Sequence, residues 1–167
     1  MTKASEFVEK LILVLDKEVE TYEEVFKLAQ EKKDVIINND VKRLDEITKK
    51  EHSFIGILSK LDEVRLNLIG NILYISNVES VDDFDELSQY IDEEQRDDFI
   101  LKVDSLMKIL KKLQEINDLN NSLIEKSLEI VNFNINLLSG NSNEFSNYND
   151  KAGEKDGKSV NFFDHKV

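Results

Sequence analysis

The chain has 167 residues, with no Pro, no Cys, no Trp and only five Gly. Without Cys there can be no disulfide or thiolate metal site, and without Pro long helices can run unbroken. The formal net charge of −13 at pH 7 disfavours nucleic acid and anionic membranes as partners, because both would repel the protein. No apolar run approaches the length of about 18 residues that suggests a membrane span. The first ten residues lack the pattern of a signal peptide, so we expect a cytoplasmic protein.

The first two predicted elements are long helices that form a hairpin. Apolar residues recur at steps of three and four over residues 5–38 and again over 41–76, the spacing of amphipathic helices packed in a bundle. The segment "NND" at 38–40 predicts a turn, with Asp40 as the N-cap of the second helix. Two rods of about 50 Å joined by such a turn pack antiparallel. Four charged residues interrupt the two apolar stripes: Glu18 and Lys32 in the first helix, Glu51 and Arg65 in the second.

An acidic connector follows the hairpin. Residues 78–99 hold ten carboxylates and one basic side chain, Arg96. The run lacks the glycine and ligand spacing of an EF-hand loop, so a solvated connector is favoured over a calcium site. Within it, residues 82–91 predict one short helix. A third long helix is predicted over 93–139, followed by Gly140, which suits a helix end.

These elements predict an all-α fold: a long antiparallel helical hairpin plus a third long helix, forming a coiled-coil-like three-helix bundle. A helical domain is expected over residues 1–139, and the polar residues 140–167 predict a flexible, disordered C-terminal tail. Neither His52 nor His165 belongs to a Glu-x-x-His pair, and no phosphate-binding loop or nucleophile elbow is present. We therefore predict no catalytic, cofactor-binding or metal-binding residue, and an enzyme is the least favoured class.

The second half of the third helix mixes amides with apolar residues. Residues 116–139 contain six Asn, although Asn is a poor helix former. One seven-residue column turns polar at Asn120 and continues through Ser127 and Asn134, between two apolar columns. The amides either fix the register inside a closed coiled coil or select a partner helix on a docking surface.

The surplus of apolar residues in this segment favours the docking surface, because a large exposed apolar surface marks an interaction site. The predicted partner-binding residues are Leu119, Asn120, Leu123, Ile124, Ser127, Leu128, Val131, Asn134, Leu137 and Leu138.

Three parts of the chain share their pattern with a known family. The third-helix segment "LQEINDLNNSLIEKSLEIVNFNINLLSG" is similar to the segment that closes the family's folded part, and "YNDKAG" and "NFFDHKV" in the tail are also similar. In the hairpin the matching residues are Tyr22, Leu28, Lys32, Ile36, Asp40, Leu44, Ile47, Glu51, Leu58, Leu61 and Arg65. On these grounds residues 6–167 resemble the FlgN-type flagellar export chaperones.

The resemblance implies a cytoplasmic, non-catalytic chaperone that binds the hook–filament junction subunits of the flagellum through their C-terminal helical segments. Such a chaperone keeps these subunits unassembled and delivers them to the flagellar export apparatus. No cofactor, nucleic acid or membrane insertion is expected.

Two alternatives to this interpretation stay open. The first is a structural coiled-coil protein that associates with itself and has no client, which the oligomeric state with and without a client would distinguish. The second concerns the tail, whose aromatic residues Tyr148, Phe162 and Phe163 are expected to dock on the export gate. A passive, solubilising tail is the alternative there.

Overall fold

The computed structural model describes residues 3–140, and this part of the chain is helical with no strand. The all-α fold predicted from the sequence is confirmed, and the three long helices begin and end within two residues of their predicted bounds. The predicted disordered tail lies outside the described residues, apart from Gly140. The helices are α1 (Lys3–Ile37), α2 (Val41–Ile75), α3 (Phe84–Ser88) and α4 (Glu93–Ser139).

The turn between α1 and α2 is built from its own polar residues. Asn39 adopts a left-handed backbone conformation with φ of 55°, which Asn tolerates better than most residues. The N–H of Asp40 then donates to the carbonyl of Val35 at 3.1 Å. The Asp40 carboxylate accepts a hydrogen bond from the backbone N–H of Arg43 at 3.0 Å, so Asp40 is the N-cap of α2 as predicted.

The short helix α3 is shorter than the predicted range of 82–91. Asp83 is its N-cap, with an extended backbone and a carboxylate that accepts from the N–H of Glu86 at 2.8 Å. The Glu86 carboxylate in turn accepts from the N–H of Asp82 at 2.8 Å. The chain therefore enters the helix at Phe84, because the residues before it are held outside by their capping bonds.

The described residues belong to two compact units, of which the first is Met1–Asn120 and the second begins at Asn121. Within the first unit, α4 runs parallel to α1. Gln95 bonds to Ser5, Lys102 pairs with Asp16 at 2.6 Å, and Asn120 lies against Ala29. The predicted division into a domain over 1–139 and a tail over 140–167 stays a prediction.

The hydrophobic core of the first unit draws on all four helices. Phe99 of α4 is fully buried and packs against Phe84, with 5.9 Å between their ring centroids. This core therefore ties the acidic connector and the first half of α4 to the hairpin. Its buried members are Val8, Leu11, Ile12, Leu15, Leu68, Ile72, Leu87, Ile91, Phe99, Val103, Leu106 and Ile109.

The four charged residues that interrupt the apolar stripes pair with each other across the hairpin. Nη1 of Arg65 donates to both carboxylate oxygens of Glu18, at 2.9 and 3.0 Å, and Arg65 also contacts Asp62. Nζ of Lys32 lies 2.9 Å from a carboxylate oxygen of Glu51. Each charge that breaks one stripe is therefore matched by an opposite charge that breaks the other.

Candidate partner-binding surface

In the first unit, the column of α4 that leads to Asn120 faces inward. Leu106, Leu113 and Asn120 follow one another at intervals of seven residues, and all three are buried. Seven residues are close to two helical turns, so the three side chains lie on one side of α4. This side packs on the hairpin, and Asn120 is its last member within the first unit.

Asn120 is only 2% exposed and makes one interhelical hydrogen bond. Its Nδ2 donates to the backbone carbonyl of Ala29 in α1 at 2.9 Å. Ala29 is fully buried, and its small side chain lets the amide approach the backbone of α1. Oδ1 of Asn120 is buried without a hydrogen-bond partner in the part of the chain that the structure describes. The Asn120 side chain is therefore held against α1 in this structure, and its predicted contact with a partner stays a prediction.

The described part of the second unit is the end of α4 and Gly140. Gly140 has φ of 70°, the left-handed conformation that ends many helices. In the last turn the hydroxyl of Ser139 donates to the carbonyl of Asn136 at 3.4 Å.

Large apolar side chains are exposed along this part of α4. Seven of them are 50% to 73% exposed, whereas soluble proteins normally show such residues singly. These seven are Leu128, Ile130, Val131, Phe133, Ile135, Leu137 and Leu138.

The apolar residues of the second unit form two stripes along the helix. At about 100° per residue, Ser127 and Asn134 lie between the stripes, and Glu125 and Glu129 lie on the opposite side. Together the stripes cover about 220° of the circumference, more than an ordinary amphipathic helix, whose apolar stripe is about 100° or somewhat wider. One stripe contains Ile124, Leu128, Val131, Ile135 and Leu138, and the other contains Leu123, Ile130, Phe133 and Leu137.

The structure places the ten predicted partner-binding residues in three settings. Asn120 is buried, while Leu123, Ile124 and Ser127 are half-buried. The others are exposed, and of these only Leu119 belongs to the first unit. The predicted docking residues Tyr148, Phe162 and Phe163 lie outside the described residues. The exposed members are Leu119, Leu128, Val131, Asn134, Leu137 and Leu138.

Three exposed apolar residues of this surface were left out of the predicted set: Ile130, Phe133 and Ile135. Ile130 follows Leu123 by seven residues in an apolar column, a signal that was sufficient to include it. Phe133 falls on the outer edge of one stripe, and Ile135 lies beside Leu128 near the outer edge of the other. Whether any of these residues contacts a partner stays a prediction.

The hairpin carries a second apolar feature, a recess of about 510 Å³ between α1 and α2. Its apolar lining comes from Leu28, Phe54 and Ile57, and its rim is charged. The charged and polar side chains at the rim are Glu24, Lys27, Glu31, Lys50 and Ser53.

Buried charge in the first unit is concentrated at Glu18. Burial raises the pKa of the Glu18 carboxyl, an effect that the neighbouring Arg65 opposes. Burial also raises the pKa of Tyr22, and the nearby charge of Glu18 adds to this effect.

Among residues 3–140, no group of three or more His, Asp or Glu side chains is placed to hold a metal ion. No helix within the same residues is long and apolar enough to cross a membrane.

The fold and this surface define an all-α protein whose longest helix exposes an unusually wide apolar face. The family model described as FlgN protein matches residues 1–156, and the chain belongs to the FlgN family. FlgN proteins are flagellar export chaperones. No curated protein and no solved structure matches the chain.

Proposed function

We propose that this protein is a cytoplasmic export chaperone that binds the hook–filament junction subunits of the flagellum. It holds each subunit through the subunit's C-terminal helical segment, keeps it unassembled and delivers it to the export apparatus. The observation that carries the proposal is the exposed apolar surface of α4 between Leu123 and Leu138. A helix with such a wide apolar face normally becomes buried, and an amphipathic helix of a partner is suited to cover it.

The polar residues between the two stripes support a helical partner. Ser127 and Asn134 lie seven residues apart in the middle of the apolar surface. Amide and hydroxyl groups in an otherwise apolar interface penalise partners that leave them unpaired, so they select register and identity. The apolar stripes on either side supply the affinity.

The test replaces Ile124 and Val131 with Asp and measures co-purification of a junction subunit. An unpaired charge buried in an apolar interface costs several kcal/mol, and about 4 kcal/mol weakens a micromolar complex to the millimolar range. We expect the double variant to lose the subunit and to keep its helical circular dichroism.

A matched control uses the same helix. Ile100 and Met107 are also seven residues apart on α4, and both are exposed, but they lie in the first unit. Replacing both with Asp should leave subunit binding unchanged. If the Ile124→Asp/Val131→Asp variant binds as well as this control, the subunit docks elsewhere and the proposed surface is wrong.

We also propose that the tail aromatics dock on the export gate, separately from subunit binding. The comparison is between the intact chain, Tyr148→Ala and a truncation after Gly140. Subunit affinity in vitro should be the same for all three, whereas export of the junction subunits and motility should fall in both variants. Normal export would show that the tail is passive, and loss of subunit binding would assign it to the client site.

A further inference from the structure

We propose that the two ion pairs Glu18–Arg65 and Lys32–Glu51 form a register lock, which admits one alignment of α1 on α2 and excludes alignments shifted by whole heptads. In two antiparallel helices, the numbers of residues that face each other have a constant sum. This sum is 83 for both ion pairs, so both pairs belong to the same alignment of α1 on α2. The side chains are largely buried, with Glu18 at 2%, Arg65 at 21%, Lys32 at 20% and Glu51 at 17% exposure.

The apolar pattern by itself leaves the alignment ambiguous. Both helices repeat their core positions every seven residues, so a shift of seven again sets core positions against core positions. The turn at residues 38–40 constrains the alignment only at one end of two 35-residue helices. A second source of alignment is therefore needed along the length of the hairpin.

One column of each helix supplies it by alternating apolar and charged residues. The alignment set by the two ion pairs puts apolar positions of one column opposite apolar positions of the other, and each charge opposite its counterpart. The α1 column reads Leu11, Glu18, Val25 and Lys32, and the α2 residues opposite them are Ile72, Arg65, Leu58 and Glu51.

Every neighbouring alignment breaks this match. A shift of seven residues in either direction sets Glu18 opposite Ile72 or Leu58 and sets Arg65 opposite Val25 or Leu11. A shift of fourteen sets Glu18 opposite Glu51 in one direction, or Lys32 opposite Arg65 in the other. Buried charges are costly without a partner and repel when alike. Only the observed alignment pairs all four charges.

The physical cost of these groups supports a role in specificity. Replacing a buried ion pair by apolar residues is often neutral or stabilising, so such a pair is weak evidence for a stabilising role. Its best-attested use is to fix register in coiled-coil packing. The raised pKa of Glu18 agrees with this view, because it shows that burial outweighs the attraction of Arg65.

Disulfide trapping measures the alignment directly, since the chain has no Cys of its own. Tyr22→Cys with Leu61→Cys reports the observed alignment, because these numbers also add up to 83. Tyr22→Cys with Phe54→Cys reports a shift of seven residues. In the observed alignment the second pair is offset by about 10 Å along the axis, beyond the Cα separation of about 7 Å that a disulfide tolerates.

Each pair of cysteines is introduced into three versions of the chain, called backgrounds. The disulfide formed within single chains is measured from the monomer band on non-reducing gels. In the natural background we expect only the 22/61 disulfide. A charge-exchanged background (Glu18→Arg, Lys32→Glu, Glu51→Lys, Arg65→Glu) keeps opposite charges facing and should give the same result. An all-apolar background, with Leu at these four positions, should form the 22/54 disulfide in at least a tenth of the molecules. If only the 22/61 disulfide forms there, the turn and packing set the alignment and the proposal is overturned.

If the all-apolar chain aggregates, a second comparison tests the ion pairs in its place. Reversing the α1 charges alone, with Glu18→Arg and Lys32→Glu, sets like charges opposite each other in the observed alignment. The 22/61 disulfide should fall at least fivefold, and adding Glu51→Lys and Arg65→Glu should restore it. An unchanged yield in the α1-reversed chain, or a failure of the second pair to restore it, would contradict the lock.

Discussion

The sharpest test of the buried charge pair is the removal of Arg65. In Arg65→Met the Glu18 carboxyl keeps its buried position, where only 2% of the side chain is exposed, but loses both hydrogen bonds from the guanidinium. Removing one partner of a buried ion pair costs about 3–5 kcal/mol. Arg65 itself is 21% exposed, so water can partly replace it, and we expect a loss of about 2–3 kcal/mol at pH 7.

The loss should depend on pH in a defined direction. Burial already raises the pKa of Glu18, and removing Arg65 takes away the main opposing effect, so the pKa rises further in the folded variant. The folded-state pKa of Glu18 therefore lies above the ordinary value of 4.5. The Glu18 carboxyl contributes its full stability below pH 4.5, and this contribution is lost as the pH rises through the folded-state pKa. The penalty of Arg65→Met should therefore be smallest in acid and largest at neutral pH.

Urea unfolding followed by circular dichroism measures the free energy of unfolding at pH 4 and pH 7, always as the difference from the natural chain. Glu18→Gln is the control background, because a glutamine at position 18 does not titrate. There the cost of Arg65→Met should be smaller and should depend less on pH, because Arg65 keeps only its ion pair with the half-exposed Asp62. A penalty in the natural background that is the same at both pH values, or larger at pH 4, would refute this account of Glu18.

Three further variants test individual contacts by the same urea unfolding. Asn120→Leu removes a buried acceptor that has no partner together with the hydrogen bond to Ala29, and the added apolar burial should leave the first unit about 1 kcal/mol more stable. Asn120→Ala, which fills less space, should give no such gain, and a loss of stability in the Leu variant would contradict this. Asp40→Ala should cost about 1 kcal/mol because it removes the N-cap of α2, and Asp40→Asn should restore most of it. Lys32→Met should cost less than Arg65→Met, because the Glu51 that it leaves is more exposed than Glu18; an equal or larger cost would contradict this ordering.

The helices were predictable because the local signals are strong and agree with one another. Apolar residues at heptad spacing, the absence of Pro and the cap at Asp40 all point to the same bounds. The sequence also marked Glu18, Lys32, Glu51 and Arg65 as interruptions of the apolar stripes. It did not show that they pair, because a pairing depends on the alignment of α1 on α2, which periodicity leaves open by whole heptads.

The exposed apolar surface of α4 was predictable only in part. Column analysis correctly separated two apolar stripes from the polar column between them. It could not show that Asn120 is buried against α1, since that burial depends on how the helices of the first unit pack together. The bond from Asn120 to Ala29 is a tertiary contact over 91 residues, and no local pattern encodes it.

Hydrogen–deuterium exchange with and without a junction subunit tests the central claim most directly. Binding that buries α4 between Leu123 and Leu138 should slow exchange of the backbone amides in that segment, while the amides of the α1–α2 hairpin keep their rates. Protection confined to the hairpin, with unchanged exchange between Leu123 and Leu138, would contradict the assignment of this surface to the client.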